Sequence, residues 1–91
     1  MKTYMVVARF KSGVTPEEIK SMIPEEQARA KALENEGAIG GIKVAMPKRH
    51  VFIEAFAENE SQALRNIESL PMAKLWEIEI YETTPPAGVQ N

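Results

Sequence analysis

One acidic side chain in this 91-residue sequence stands where a helical pattern calls for an apolar residue. Residues 16–36 read as a helix, and at about 100° per residue the apolar members fall on one stripe. The stripe contains Ile19, Met22, Ile23, Ala30 and Leu33. Glu26 falls about 20° from the centre of this stripe. Its carboxyl group is therefore predicted to face the interior of the protein.

A carboxyl group against apolar surface is costly to ionise, so we expect the pKa of Glu26 to be raised unless a cation or donor pairs with it. A raised pKa suits a general acid or base. Two interpretations stay open: Glu26 moves a proton in a reaction, or it is structural and either pairs with a cation such as Arg9 or reaches solvent. Pro24 bears on both, because a kink there would rotate the residues that follow.

Four further residues are candidates for the substrate-binding wall around this carboxyl group. They are Tyr4, Arg9, Met22 and Trp76. His50 is the only histidine, so it makes no metal site, and its place at a hairpin end favours a solvated side chain. Gly40 and Gly41 indicate either a β-bulge or room for a ligand. There is no cysteine, which excludes disulfides and thiol chemistry.

The elements that position these residues follow in the order strand, helix, strand, strand, helix, strand. The strands are predicted over residues 3–10, 38–46, 50–57 and 73–82, and the helices over 16–36 and 59–70. This order is typical of the ferredoxin-like α+β fold, a four-stranded antiparallel sheet with two helices on one face. We predict a single domain over residues 1–82, followed by a polar tail over residues 83–91.

Composition and pattern limit the classes of partner. The net charge is −2 and no block of lysine or arginine dominates, which argues against nucleic acid. The longest apolar run, Tyr4 to Ala8, is too short to span a bilayer, and we predict no membrane partner and a cytoplasmic location. The first and third strands are apolar on both faces. The sheet face without helices therefore predicts a homodimer or a higher oligomer.

Three stretches also carry a family resemblance: EEQARAKALENEG, FAENESQALRNIESLP and LWEIEI. In this register the chain, from about Ala8 to Glu82, resembles the muconolactone isomerase family of dimeric α+β barrel proteins. The resemblance implies paired sheets, a small-molecule ligand, and isomerisation of an unsaturated lactone by proton transfer without metal or organic cofactor. It also aligns Glu26 with the acid/base of the family.

The chain departs from the family in the second strand, where Ile39, Gly40 and Gly41 replace bulky aromatic and basic side chains. Two functions therefore stay open. One is a small cofactor-independent isomerase or cyclase of aromatic catabolism, acting on a lactone or a related cyclic oxygenated compound. The other is a non-catalytic small-molecule-binding or oligomeric assembly module on the same fold.

Overall fold

The strands and helices follow one another in the predicted order, with one additional short helix. In this computed structural model residues 1–87 are described. The elements are β1 (Lys2–Phe10), α1 (Pro16–Asn35), β2 (Ile39–Ala45), β3 (His50–Ala57), α2 (Glu60–Glu68), a 3-10 helix (Pro71–Leu75) and β4 (Trp76–Thr83). Neither α-helix combines the length and apolar composition that a membrane span requires.

The four strands form one antiparallel sheet in the order β2-β3-β1-β4. Alternate residues of each strand point toward the helices, as the two-residue period of a strand requires. In β1 these residues are Tyr4, Val6, Ala8 and Phe10, and all four are buried. The ferredoxin-like fold predicted from the sequence is confirmed.

Helix α1 begins and ends where its sequence signals stand. Thr15 accepts a hydrogen bond from the Glu18 amide, and the Glu18 carboxylate accepts one from the Thr15 amide, which is a capping box. Gly37 follows the helix with φ of 77°, a conformation that costs glycine little. Pro24 lies inside α1, yet the helix is continuous from Pro16 to Asn35. Pro24 therefore does not rotate the residues that follow it, and Glu26 keeps the angular position around the helix that the apolar stripe predicts.

Strand β2 contains the bulge that its two glycines indicated. Ile39 pairs with Ala55 and Ile42 pairs with Ile53, so β2 uses one more residue than β3 between these pairs. The extra residue falls at Gly40 or Gly41, and a bulge of this kind bends the strand locally.

The start of the last strand was predicted wrongly. Residues 71–75 form a 3-10 helix instead of leading into the strand, and β4 starts at Trp76. Pro71 fixes the first turn, and the Ala73 amide donates to the Leu70 carbonyl at 3.0 Å. The strand then continues to Thr83, the first residue assigned to the tail. The last four residues of the predicted tail, 88–91, lie outside the described residues.

The sheet face opposite the helices, called here the outer face, carries apolar side chains that no described helix covers. Met5 and Val7 of β1 lie on it beside Phe52 and Phe56 of β3, and all four are partly exposed. An uncovered apolar sheet face is typical of a protein–protein contact.

Candidate functional site

Glu26 lies on the inner side of α1, as the apolar stripe predicted. Its side chain is partly buried, whereas those of Glu25 and Lys31 are exposed. Leu33, two turns further along the same stripe, is fully buried. A helix with 3.6 residues per turn places positions 26, 30 and 33 on one face. The unbroken helix therefore holds the Glu26 carboxyl group at the edge of the core.

One carboxylate oxygen of Glu26 is anchored to the backbone. The Met72 amide donates a hydrogen bond to Glu26 Oε1 at 2.8 Å. Met72 is the second residue of the 3-10 helix, where the first amide groups of a helix lack partners within it. Among the described residues, nothing donates a hydrogen bond to Oε2. The carboxyl group is thus positioned through one oxygen, and no described residue holds the other.

Partial burial raises the pKa of Glu26, and the hydrogen bond from the Met72 amide lowers it by less. Burial acts this way because it disfavours the charged carboxylate. No cation among the described residues pairs with this group. The proposed ion pair with Arg9 is wrong, because Arg9 lies on the outer face and its Nη2 is 3.2 Å from Glu77 Oε1.

A cavity of about 440 Å³ opens beside this carboxyl group, between α1, the sheet and the 3-10 helix. It is lined by Phe10, Ile19, Ile23, Glu26, Gln27, Ala30, Ile42, Val44, Met46, Val51, Met72 and Trp76. Three of these side chains are unusually exposed for apolar residues: Ile23 at 38%, Val44 at 61% and Met46 at 54%. We call them the rim. A mostly apolar cavity of this size with one polar group is typical of a small-molecule site.

Trp76 forms part of the cavity wall at the start of β4. Its side chain is buried, and its ring meets that of Phe10 edge-to-face with centroids 6.2 Å apart. Its indole Nε1 is buried without a hydrogen-bond partner among the described residues. Buried indole N–H groups usually have a partner. Trp76 therefore contributes a buried donor that no described residue satisfies.

A larger depression of about 510 Å³ also touches Trp76, but it has a different character. Its charged residues, Lys11, Glu68 and Lys74, are all exposed to solvent. It therefore lacks a desolvated group that could do chemistry, and the cavity beside Glu26 is the better candidate despite its smaller volume.

Of the residues predicted around Glu26, the structure brings only Trp76 to the cavity with it. Tyr4 is 1% exposed in the core and lies six residues before Phe10, toward the opposite end of β1. Arg9 points to the outer face because successive strand residues alternate. Met22 packs against the core but does not line the cavity. The positions of Tyr4, Arg9 and Met22 thus disagree with the predicted wall.

Other parts of the site were missed from the sequence. The Met72 amide belongs to the unpredicted 3-10 helix, for which the Leu70–Pro71 pair was a signal of a turn. Val44 and Met46 reach the rim because β2 runs beside β3 and ends there. Within residues 1–87, no three histidine, aspartate or glutamate side chains are grouped as a metal ion would require.

Comparison with known proteins places this site on a known fold. No protein-family model and no curated protein sequence matches the chain. Its structure is similar to a crystal structure of muconolactone isomerase at 3.3 Å resolution, with a TM-score of 0.74 and 13% sequence identity. The similarity covers 98% of this chain and 96% of that one. At this identity the two proteins share the fold, and the chain has the muconolactone isomerase fold over nearly its whole length.

Proposed function

We propose that the protein is a small isomerase or cyclase that acts by proton transfer on a lactone or a related cyclic oxygenated compound. Glu26 is the acid/base in this proposal. The observation that carries it is a partly buried carboxyl group beside an apolar cavity, anchored through Oε1 and with no donor to Oε2 among the described residues. The fold shared with muconolactone isomerase supports the same class of reaction.

The proposed step balances without an oxidant or reductant. The Glu26 carboxylate removes a proton from the saturated ring carbon attached to the C=C bond, which is itself conjugated with the lactone carbonyl. The electron pair of that C–H bond shifts through the C=C bond onto the carbonyl oxygen and forms an enolate. The enolate then re-forms the carbonyl group, and a different carbon takes the proton from Glu26 with the electron pair of the enolate system. The C=C bond has a new position and Glu26 is again ionised.

The surroundings of Glu26 suit both halves of this step. Burial raises its pKa, which makes the carboxylate a stronger base than an exposed glutamate. The hydrogen bond from the Met72 amide fixes the carboxyl group and leaves Oε2 to meet the substrate. Because Glu26 is only partly buried, the proton that it holds between the two halves of the step can exchange with solvent.

Proton exchange into D2O tests the proposal. NMR spectra of a γ-substituted butenolide in D2O, recorded with the protein, should show loss of signal at the exchanging ring carbons. Glu26→Gln should slow this exchange by about 10²–10⁴-fold, the usual contribution of a general acid/base. Glu25→Gln is the matched control, because Glu25 is exposed on the same helix and should leave the rate unchanged. Equal exchange with Glu26→Gln and the unsubstituted protein would reject Glu26 as the acid/base.

A non-catalytic binding module is the second candidate, and one observation favours it. Glu26 is the only ionisable side chain among the described residues that line the cavity, so no second group is present to assist it. A ligand that binds without any exchange into D2O would support this candidate. In either case we propose a cytoplasmic homodimer or higher oligomer formed through the outer face.

A further inference from the structure

The cavity beside Glu26 contains no positively charged side chain among its described lining residues. Two arginines close in sequence to lining residues are engaged elsewhere. Arg9 pairs with Glu77 on the outer face. Arg49 donates from Nη2 to the carbonyl oxygens of Lys11 and Val14, at 3.3 and 3.1 Å.

The electrostatics of this arrangement oppose an anionic ligand. A carboxylate that enters an apolar cavity loses its hydration, and only a cation or several donors can compensate for that loss. Here it would also meet the Glu26 carboxylate, so two like charges would share one low-dielectric space. One of the two groups would have to take up a proton before both could be accommodated.

The entrance to the cavity is also unfavourable for an anionic ligand. The rim consists of Ile23, Val44 and Met46, which are apolar although they are exposed. Exposed apolar side chains around an opening favour an apolar ligand, because its binding removes their surface from water. The one neutral polar side chain among the described lining residues is Gln27. Its amide lacks the charge that a carboxylate requires.

We propose that this cavity accepts an uncharged, largely apolar cyclic compound and discriminates against the same compound carrying a carboxylate. The ligand places its one polar region, a carbonyl or hydroxyl group, at the Glu26 end and its apolar part against the rim. This inference deepens the proposed function, since it names the substrate class of that same site.

A matched ligand pair tests the inference by binding alone. One ligand is a γ-carboxymethyl butenolide, which is anionic at pH 7.5, and the other is its uncharged methyl ester. Trp76 is the only tryptophan and lies in the cavity wall, so its fluorescence, checked by calorimetry, reports binding. We expect the ester to bind at least tenfold more tightly than the carboxylate. Equal or tighter binding of the carboxylate, or no binding of the ester, would overturn the inference.

A substitution that introduces a positive charge at the rim provides a second test. Met46→Lys places a cation at an exposed rim position and should narrow or reverse the tenfold preference. Ser61→Lys adds the same charge on α2, outside the cavity lining, and should leave the preference unchanged. An unchanged preference in Met46→Lys would overturn the inference. The ligand preference can fail independently of the exchange experiment. Glu26→Gln tests proton transfer, whereas the carboxylate and its ester test which ligand charge the cavity accepts.

Discussion

The hydrogen bond between the Met72 amide and Glu26 Oε1 predicts that two substitutions of the same residue will differ in stability. Glu26→Gln keeps a side-chain oxygen that can accept this bond at 2.8 Å, but it cannot ionise. Glu26→Ala removes the acceptor and leaves a partly buried amide on the 3-10 helix without a partner. We therefore expect Glu26→Ala to be the less stable of the two proteins.

The size of the stability difference between the two variants depends on how far the hydrogen bond is buried. A hydrogen bond to a neutral group contributes about 0.5–1.5 kcal/mol, and an unsatisfied buried donor costs about 1–3 kcal/mol. Because Glu26 is only partly buried, water can replace part of the lost bond. Glu26→Ala should thus unfold with a free energy about 1 kcal/mol lower than that of Glu26→Gln.

The pH dependence gives an independent check on the same residue. The folded pKa of Glu26 is raised above its ordinary value of 4.5, so the folded state binds more protons than the unfolded state between these two values. The stabilisation is fully present below 4.5 and is lost as the pH rises through the folded pKa. Relative to the unsubstituted protein, Glu26→Gln should therefore become more stable as the pH increases across this window.

Urea unfolding of the unsubstituted protein, Glu26→Gln and Glu26→Ala at pH 4.5 and pH 7.5 tests these predictions. The loss of the hydrogen bond and the pH dependence both appear as shifts in the transition midpoint. Equal midpoints for Glu26→Ala and Glu26→Gln would mean that the bond to Met72 contributes nothing. A stability advantage of the unsubstituted protein that grows with pH would mean that the folded state favours the ionised form of Glu26. That outcome would refute the reasoning on burial.

Two further predictions concern the backbone and the outer face. Gly37→Ala should destabilise the protein by about 1–2 kcal/mol in thermal or urea unfolding, because φ at Gly37 is 77°. Gly41→Ala, with open space around the added methyl group, should change stability little, and an equal loss in both would contradict this reading. Sedimentation at micromolar concentration should show a dimer or larger species, and Phe52→Glu on the outer face should shift it toward monomer. Lys31→Gln, which changes the charge by the same amount on exposed helix surface, should not; a monomeric unsubstituted protein would reject the interface.

Local sequence signals predicted the features that depend on a single element. The period of α1 was readable because it involves residues on one face of a single helix, and the N-cap at Thr15 and the glycine at Gly37 are likewise local to its two ends. The same period gave the inward position of Glu26. The alternation in β4 likewise places Trp76 and Glu77 on opposite faces of the sheet.

The features that depend on several elements were not readable in this way. The hydrogen-bond partner of Glu26 is a backbone amide 46 residues away along the chain. A backbone donor cannot be predicted from the type of side chain at that position. Arg9 was a plausible cation for Glu26 by type, but the strand period places it on the opposite face of the sheet. Val44 and Met46 meet Ile23 only after the sheet and α1 have packed together.

The exposed rim has a consequence for how such a protein diverges. Ile23, Val44 and Met46 shape the entrance of the cavity, yet they lie outside the buried core that Leu33 and Ile53 help to form. Substitutions at exposed positions usually change stability by less than about 0.5 kcal/mol. A lineage could therefore exchange these three side chains in a few mutational steps, and so change which compounds enter, while the helix that presents Glu26 is inherited intact.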